Sequence, residues 1–211
     1  MQHNPDLFAS EQELQILPLP DAELYFCRTP PLPLAADALY AALLRDTPWA
    51  EYSITIYGKT MLQPRLMAWY GDAHARYAYS GKEYVPLPWT PVLAQLRDAL
   101  MQFTGHAYNS VLLNLYRDGN DAMGMHSDDE PELGRNPLIA SLSLGAPRTF
   151  ILRHKRDKTL KPVRLRLEHG SLLLMAGPTQ HHWQHGINRE ADAGPRINLT
   201  FRRILARKAQ P

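Results

Sequence analysis

The sequence predicts a mainly β protein with flanking helices, arranged as a barrel or a double-sheet jelly roll. Two helical patterns occur in the first half of the chain, and from Ser110 onward the pattern is almost entirely β. Clusters of Gly, Pro, Asn and Asp separate the strand-like segments, which are VLLNLY, PLIASLSLG, RTFILRHK, VRLRLEHGSLLLM and RINLTFRRI. The strands are expected to form the sheets, and the few helices that precede them are expected to pack on the outside.

The elements that precede these strands are less regular. The proline-rich stretch from Pro18 to Pro33 indicates an irregular N-terminal arm. A first helix is expected from about Ala35 to Arg45, because Leu39 and Leu43 fall on one helical face. Residues 53–84, which are rich in Tyr and Thr, are expected to form strands and turns.

A second helix has clear signals at both ends. Thr90 is suited to the N-cap, Pro91 to the first helical position and Gly105 to the position after the last turn. The apolar face of this helix is formed by Leu93, Leu96, Leu100 and Phe103. We therefore expect a capped helix that packs on the sheets.

Length and composition limit the class of protein. The chain has 211 residues, of which 45% are apolar and 21% charged, and it can form one domain with a sizeable core. Cys27 is the single cysteine, so no disulfide can form within the chain, as is typical of reducing compartments. The N-terminus lacks a signal-peptide pattern, and no stretch reaches 18 apolar residues. We expect a cytoplasmic protein that does not span a membrane.

The net charge of +2 conceals an uneven distribution along the chain. Residues 1–147 contain 9 basic and 17 acidic residues, whereas residues 148–211 contain 14 basic and 4 acidic residues. A basic segment of this size is suited to a polyanion such as nucleic acid. A solvated face that offsets the acidic half would produce the same pattern.

One histidine and one aspartate have the spacing of metal ligands. His126 and Asp128 are two residues apart, so an extended backbone would place both side chains on one face. The run from His181 to His185 contains candidates for a second imidazole. Two histidines and one carboxylate form the facial triad of non-haem Fe(II) oxygenases. His-x-Asp also occurs by chance, and His-rich runs are often exposed.

The last predicted strand, from Arg196 to Arg202, alternates strictly between polar and apolar residues. Two arginines on its polar face would be costly to bury without anionic partners, and a dicarboxylate near a metal would satisfy both. The alternative is the polar outer face of an edge strand. The polar face consists of Arg196, Asn198, Thr200 and Arg202, and Asn114 and Tyr116 share a face of an earlier strand.

These motifs, in this order and spacing, closely resemble the AlkB family of Fe(II)/2-oxoglutarate dioxygenases. The resemblance runs from about Tyr52 to Ile204, and it is closer to the duplex-acting DNA repair homologues than to the founding bacterial enzyme. The motifs that carry it are Asn114-Leu115-Tyr116, His126-Ser127-Asp128-Asp129-Glu130, Ser141 to Gly145, Arg153-His154-Lys155, Gly170-Ser171-Leu172, His185-Gly186-Ile187 and Arg196 to Arg202.

The resemblance implies an iron site and a cosubstrate site. His126, Asp128 and His185 would bind Fe(II), with His181 and His182 as alternatives to His185. The cosubstrates would be 2-oxoglutarate and O2. The residues expected around 2-oxoglutarate are Asn114, Tyr116, Arg196, Asn198, Thr200 and Arg202, and which arginine binds which carboxylate stays open.

The resemblance also implies a fold and a reaction. The fold is a double-stranded β-helix, or jelly roll, within a single domain, residues 1–211. This domain would comprise an N-terminal arm and helix (1–50), nucleotide-recognition hairpins (51–90), a supporting helix (91–105) and a catalytic core (106–211). The reaction is oxidative demethylation of bases such as 1-methyladenine and 3-methylcytosine in DNA, in which the N-methyl group is hydroxylated and released as formaldehyde.

A base within a duplex must be flipped out before it can reach a buried metal. By the same resemblance, Tyr57 at a hairpin tip would fill the gap that the base leaves, and Lys59 would contact a phosphate. Tyr79 would stack on the flipped base with Tyr77 nearby, and Asp129 would favour cationic methylated bases. Without the resemblance, a tyrosine at a turn is more often packed on its own hairpin.

The stretch from Arg148 to Arg166 contains eight basic residues and one acidic residue. It would bind phosphates without reading sequence, with Arg153 and Lys155 among the contacts, although some of its side chains would simply be solvated. We expect a monomer that prefers alkylated duplex DNA to single strands. The alternatives are a demethylase of methylated RNA, an AlkB-like oxygenase with another substrate such as a protein side chain, and a non-catalytic nucleic-acid binder.

Overall fold

The computed structural model describes residues 11–56, 58–75, 77–79 and 82–205, with side chains for all of these except 55–56, 77–79 and 82–84. The helices are α1 (Ala36–Asp46), α2 (Pro91–Thr104) and α3 (Thr179–His182), with a short 3-10 helix at Pro131–Leu133. The strands are β1 (Gln15–Leu17), β2 (Glu23–Cys27), β3 (Ala50–Ile56), β4 (Lys59–Gly71), β5 (Tyr77–Tyr79), β6 (Lys82–Tyr84), β7 (Ser110–Tyr116), β8 (Met123–His126), β9 (Ile139–Gly145), β10 (Arg148–His154), β11 (Val163–Leu167), β12 (Leu172–Ala176), β13 (Trp183–Ile187) and β14 (Arg196–Arg202).

Two antiparallel sheets form the body of the molecule. The large sheet has eight strands in the order β1-β2-β12-β9-β14-β7-β4-β3, and the small sheet has four in the order β11-β10-β13-β8. Strands β5 and β6 form a separate hairpin. Sheet neighbours are mostly distant in sequence, as in β9 and β14, which is typical of a jelly roll. The mainly β architecture with flanking helices is therefore the one that the sequence predicts.

Strand β14 shows how the alternating pattern is used. Ile197, Leu199 and Phe201 lie in the main core with buried leucines of α1 and α2, so this face of the large sheet is covered by the helices. The opposite face carries the polar residues, and six of the seven residues in β14 are buried. The polar side chains therefore face the space between the two sheets, and the alternative of a solvated edge strand is wrong for β14.

The two long helices follow their sequence signals. The Thr90 side chain accepts a hydrogen bond from the Leu93 backbone N–H at 3.3 Å, with Pro91 in the first turn of α2. Gly105 ends α2 in the left-handed conformation, with φ of 71°, where glycine has no steric penalty. In α1, Leu39 and Leu43 are buried as expected. No helix in the described ranges is long and apolar enough to cross a membrane.

The proline-rich stretch is a correction to the sequence prediction. The segment from Pro18 to Pro33 is not irregular throughout, because it contains β2, which lies between β1 and β12 in the large sheet. Prolines on both sides of ELYFC hide a short strand whose hydrogen-bonding partner, β12, is about 150 residues away. Strands β3 and β4 also belong to the large sheet, so this sheet crosses the expected boundary at residue 106. The division into segments stays a prediction.

Candidate active site

Three predicted metal ligands meet where the end of β8 lies beside the middle of β13. His126 is the last residue of β8 and lies directly opposite His185 of β13, and Asp128 follows two residues after β8. His126 Nε2 is 3.8 Å from Asp128 Oδ1, and His185 Nε2 is 3.9 Å from Asp128 Oδ2. One ligand atom of each residue lies within 4.8 Å of the others. An ion with bonds of about 2.1 Å can bridge such a group after small side-chain shifts.

The protonation states suit metal binding. Burial lowers the pKa of His185 to about 3, with His126 as a further cause, so this imidazole is neutral near pH 7. Burial alone would raise the pKa of Asp128, but Arg202, His185 and His126 outweigh it and hold the pKa below its usual value. Asp128 Oδ2 is buried and has no hydrogen-bond partner among the described residues. A cation would satisfy this oxygen.

Neighbouring groups fix the orientation of these ligands. His126 Nδ1 lies 2.9 Å from the carbonyl oxygen of Gly124, so it carries the proton and leaves Nε2 free to bind a metal. The Asp128 backbone N–H donates to Gln180 Oε1 at 2.9 Å. The ring of Phe150 stacks on His185 with centroids 5.2 Å apart. The site is therefore held in place before any ion binds.

A cavity extends from the triad along the polar face of β14. Arg196 is 1% exposed and lies over the ring of Tyr116, 5.2 Å from its centroid. Its NH2 group donates to Ser143 Oγ at 2.9 Å, whereas Nε and NH1 are buried without hydrogen-bond partners in the described part of the chain. The cavity is lined by Asn114, Tyr116, Met123, His126, Asp128, Ser141, Phe150, Met175, His185, Gly186, Ile187, Arg196, Asn198, Thr200 and Arg202.

An anion is the group that Arg196 lacks. Burial lowers the pKa of Arg196, because the charged form is poorly solvated there. A buried guanidinium with two unpaired N–H positions is costly unless a carboxylate or phosphate binds it. The cavity thus combines a triad that can hold a metal with a cation that requires an anionic ligand.

Comparisons with known proteins agree with this site. Residues 32–202 match the model of the 2OG-Fe(II) oxygenase superfamily. The chain belongs to this superfamily. Its metal is therefore Fe(II), and its cosubstrates are 2-oxoglutarate and O2, as the sequence predicts.

Relatives of named function match most of this oxygenase. It is 44% identical to mouse "DNA oxidative demethylase ALKBH2" over 183 residues, which are 82% of this chain and 77% of that protein. It is 46% identical to bovine "Alpha-ketoglutarate-dependent dioxygenase alkB homolog 3", over 80% of this chain but only 62% of that one. A solved structure, "The structure of OsALKBH1", matches with 19% sequence identity and a TM-score of 0.63. The match covers 90% of this chain and 100% of that one. This last likeness confirms the fold.

The second arginine of β14 has a different position in the oxygenase. Arg202 NH2 donates to Asp128 Oδ1 at 2.7 Å, so this arginine is tied to a metal-ligand candidate. Arg196, six residues earlier in the strand, is held by Ser143 and Tyr116 instead. The two arginines therefore lie at different ends of the cavity.

The predicted amide and hydroxyl residues differ in how they are bound. Asn198 Nδ2 donates to Ser141 Oγ at 2.8 Å and to the Leu142 carbonyl at 3.1 Å. Asn198 Oδ1 accepts from the Thr200 hydroxyl at 3.0 Å. The two bonds from Asn198 Nδ2 tie β14 to β9. Asn114 has its oxygen bound by Arg65, at 2.7 Å.

A second group of two histidines and one aspartate lies outside the cavity. It comprises Asp21, His154 and His182, with ligand atoms within 4.8 Å of one another. His154 Nδ1 accepts the Asp157 backbone N–H at 2.8 Å, so its Nε2 carries the proton and points at Asp21 Oδ2, 3.4 Å away. A protonated nitrogen cannot bind a metal. This group is therefore a close contact between one aspartate and two histidines, in contrast to the triad.

The run from His181 to His185 is thereby resolved into separate roles. His185 points to the triad, and His182 stacks near His154 with ring centroids 5.9 Å apart. His181 is exposed, and its Nε2 lies 3.0 Å from Asn136 Oδ1. Neither alternative to His185 joins the triad. His181 and His182 belong to α3 whereas His185 lies on β13, and this change of backbone direction is why sequence alone left three candidates.

Some expected substrate contacts lie beyond what the structure describes. Tyr57 lies outside the described residues, and Tyr77 and Tyr79 are in β5 with side chains that also lie outside them. Lys59 is exposed at the start of β4, and Arg153 is exposed on β10. The proposed roles of these five residues stay predictions.

Asp129 and Lys155 are paired with each other. Lys155 Nζ donates to Asp129 Oδ2 at 3.0 Å and to the Gln180 carbonyl at 2.8 Å. The resemblance implies that Asp129 would favour a cationic base, and the basic stretch predicts that Lys155 would contact a phosphate. In this structure each neutralises the other at the surface, where the Asp129 side chain is about half exposed.

Arg148 is a correction to the expected phosphate-binding stretch. Its side chain is fully buried, and its NH1 and NH2 groups donate to the backbone carbonyls of Asp118, Asp121 and Asn188. The guanidinium also lies 5.5 Å from the centroid of Tyr116. Arg148 therefore supports the loops beside the cavity, and it cannot contact DNA.

Sequence reasoning missed Arg65 on β4. This arginine is 5% exposed and contacts Asn114 from outside the cavity lining. One signal was available. Arg65 lies in the middle of β4, directly before the apolar run LMAWYG. A buried cation in a central strand requires polar partners, which points to a site nearby.

Proposed function

We propose that this oxygenase repairs alkylated DNA by oxidative demethylation of N-methylated bases. The observation that carries the proposal is the 44% identity to mouse "DNA oxidative demethylase ALKBH2" across 82% of this chain, joined to a triad and an anion-binding cavity in the same fold. Human "DNA oxidative demethylase ALKBH2" is 43% identical over a similar span. The expected substrates are 1-methyladenine and 3-methylcytosine.

His126, Asp128 and His185 would hold Fe(II) on one side, with the His185 imidazole neutral and the Asp128 carboxylate ionised. When bound, the iron with 2-oxoglutarate and O2 supplies the oxidant, and 2-oxoglutarate is converted to succinate and CO2. Arg202 donates to Asp128 Oδ1, which neutralises the carboxylate and keeps it oriented. The N-methyl group of the base becomes N-hydroxymethyl, which is lost as formaldehyde.

The two arginines of β14 would take different ends of 2-oxoglutarate. Arg202 is bonded to Asp128, so it lies beside the end that approaches the metal. Arg196 has two buried donor positions directed away from its Ser143 contact, so it would bind the distal carboxylate. Tyr116 supports Arg196 through its ring, and Asn114, Asn198 and Thr200 complete the polar wall.

Apolar side chains line the remainder of the cavity. They exclude water, which protects the oxidant from side reactions and strengthens each charged contact. These side chains are Met123, Phe150, Met175 and Ile187.

The nucleic acid would bind across the recognition hairpins and the basic strands. We propose that Tyr57 fills the gap left by a flipped base, that Lys59 and Arg153 contact phosphates, and that Tyr79 stacks on the base. The exposed positions of Lys59 and Arg153 support this arrangement. Duplex preference, a monomeric state and a cytoplasmic location belong to the same proposal.

A demethylation assay tests the proposed function. The protein with Fe(II), ascorbate and 2-oxoglutarate is incubated with duplex DNA, single-stranded DNA or RNA that contains 1-methyladenine or 3-methylcytosine. Formaldehyde release and base restoration from duplex DNA, at a higher rate than from the other two, is the expected result. Exclusive activity on RNA, or no demethylation of any of them by protein that still converts 2-oxoglutarate, would refute it.

A further inference from the structure

Arg65 lies behind the cosubstrate cavity. Its Nε donates to Asn114 Oδ1 at 2.7 Å, its NH2 to Gln63 Oε1 at 2.6 Å and its NH1 to the Ala122 carbonyl at 3.5 Å. Gln63 belongs to the same strand, β4, and Ala122 directly precedes β8, the strand that carries His126. The guanidinium thus joins the recognition hairpin strand, the cavity wall and the start of the metal-binding strand.

The chemistry of the guanidinium fixes the orientation of Asn114. Arginine only donates hydrogen bonds, so the atom of Asn114 that faces it must be the amide oxygen. The amide is planar, and its NH2 group therefore points away from Arg65. Asn114 is 1% exposed and lines the cavity, so its NH2 group is the part of the amide left to bind a ligand there.

The charge of Arg65 is consistent with this arrangement. The hydrogen-bond partners named above are neutral oxygens, and burial lowers the pKa of the guanidinium, partly offset by Tyr116 and Asp121. A dicarboxylate in the adjoining cavity would improve the environment of this buried cation. A dicarboxylate bound beside Asn114 would therefore also stabilise Arg65.

We propose that Arg65 is a positioning residue for 2-oxoglutarate, which holds the Asn114 amide so that its NH2 group donates to a cosubstrate carboxylate. The proposal rests on the placement of 2-oxoglutarate beside Asn114 under the proposed function. It is independent of the nucleic acid, so it can fail while DNA demethylation stands.

Equilibrium binding of 2-oxoglutarate to the full chain loaded with Mn(II), measured by calorimetry, tests this role without turnover. Arg65→Met is expected to weaken binding by about tenfold or more, since a buried amide loses its orientation. Arg65→Lys should weaken it less. The matched control is Arg97→Met, a partly buried arginine on α2 that lies outside the cavity lining, and its binding should be unchanged.

A double-mutant cycle separates positioning from general support of the fold. Asn114→Ala should weaken 2-oxoglutarate binding in the wild-type background but add little in the Arg65→Met background, because the amide is already misdirected there. Fully additive losses, or wild-type affinity in Arg65→Met, would overturn the proposal.

Asn114→Asp provides a test that leaves Arg65 intact. The new carboxylate still accepts the bond from Arg65 but presents an oxygen where the NH2 group was, and it repels the cosubstrate carboxylate. Binding should therefore be weaker than in Asn114→Ala. Equal or tighter binding in Asn114→Asp would show that no donor faces the cavity, and the proposal would be wrong. This comparison remains decisive if Arg65→Met fails to fold.

Discussion

The charges inside the cavity are largely buried, whereas Arg153 and Arg164 on strands β10 and β11 are exposed to solvent, and this difference decides how much each contributes. Inside, Arg196, Arg202 and Asp128 are held by named partners, and each is buried or mostly so. Outside, Arg153 and Arg164 are exposed on neighbouring strands. A buried charge is costly without its partner. An exposed arginine that loses a phosphate contact is solvated by water and salt ions instead, at little cost. Substitutions inside the cavity should therefore act strongly and specifically, and those outside weakly and in a salt-dependent manner.

The largest effect should come from the triad. His126→Ala or Asp128→Ala should lower metal affinity and demethylation by more than about 100-fold, since loss of outer-sphere contacts alone costs 10- to 100-fold in comparable sites. Metal content after gel filtration and turnover with a methylated oligonucleotide measure this. His181→Ala and His182→Ala are matched controls and should retain the metal. Loss of metal in His182→Ala with retention in His126→Ala would reverse the assignment of the two clusters.

The next largest effect should come from Arg196. Arg196→Met should raise the KM for 2-oxoglutarate by about 30-fold or more, because truncating one partner of a buried charge pair costs about 2 kcal/mol or more. The Tm of the cosubstrate-free protein should not fall, since an unpaired buried cation has been removed. Thermal unfolding with and without 2-oxoglutarate checks both points. A lower Tm without cosubstrate would mean that the contacts of Arg196 with Ser143 and Tyr116 outweigh the cost of burying its charge.

The pH dependence of stability should be intermediate in size. The pKa of His185 falls from 6.5 to about 3 on folding, so below pH 6.5 the unfolded chain binds a proton that the native state does not. Between pH 7 and pH 5 the free energy of unfolding of the metal-free protein should fall by roughly 2 kcal/mol from this group. Asp128 contributes below its ordinary pKa of 3.8, outside this range.

Urea unfolding of wild type and His185→Gln over this pH range measures that contribution. The two stabilities should converge as the pH falls, because only the wild type carries the penalty of keeping His185 neutral. Parallel curves would show that His185 is solvated in the metal-free state.

The smallest effect should come from the exposed basic strands. Arg153→Ala should weaken duplex binding by less than about tenfold, equally for different sequences, and reduce the magnitude of the salt slope by about one. Fluorescence anisotropy at 50–200 mM salt measures both quantities. Arg45→Ala, an exposed arginine on α1 in the acidic half, is the matched control. An unchanged salt slope in Arg153→Ala would remove this residue from the DNA surface.

The same comparison separates the sequence predictions that were confirmed from those that needed the structure. Alternation in β14 predicted a polar face and an apolar face, and both are present. Cap residues predicted α2 almost to the residue. These features depend on local periodicity and backbone geometry, which neighbouring residues determine. Strand β2 was missed because its stability depends on pairing with the distant β12.

Within the basic stretch, sequence could not distinguish buried from exposed arginines. Arg148 and Arg153 are five residues apart on β10, yet one is fully buried and the other exposed. Odd spacing along a strand places them on opposite faces, but only the packed sheets decide which face is the interior. The same holds for Asp129 and Lys155, whose mutual pairing joins segments 26 residues apart.

By itself, the sequence determined the fold class and the residue types of an iron and 2-oxoglutarate site. These follow from residue chemistry and short-range spacing. Only the tertiary structure decided that His185 rather than His181 or His182 completes the triad, that Arg202 and not Arg196 holds Asp128, and that Arg65 orients Asn114. Each of these depends on the direction of a side chain across strands far apart in sequence, and hydrogen bonds have directions that spacing along the chain does not specify.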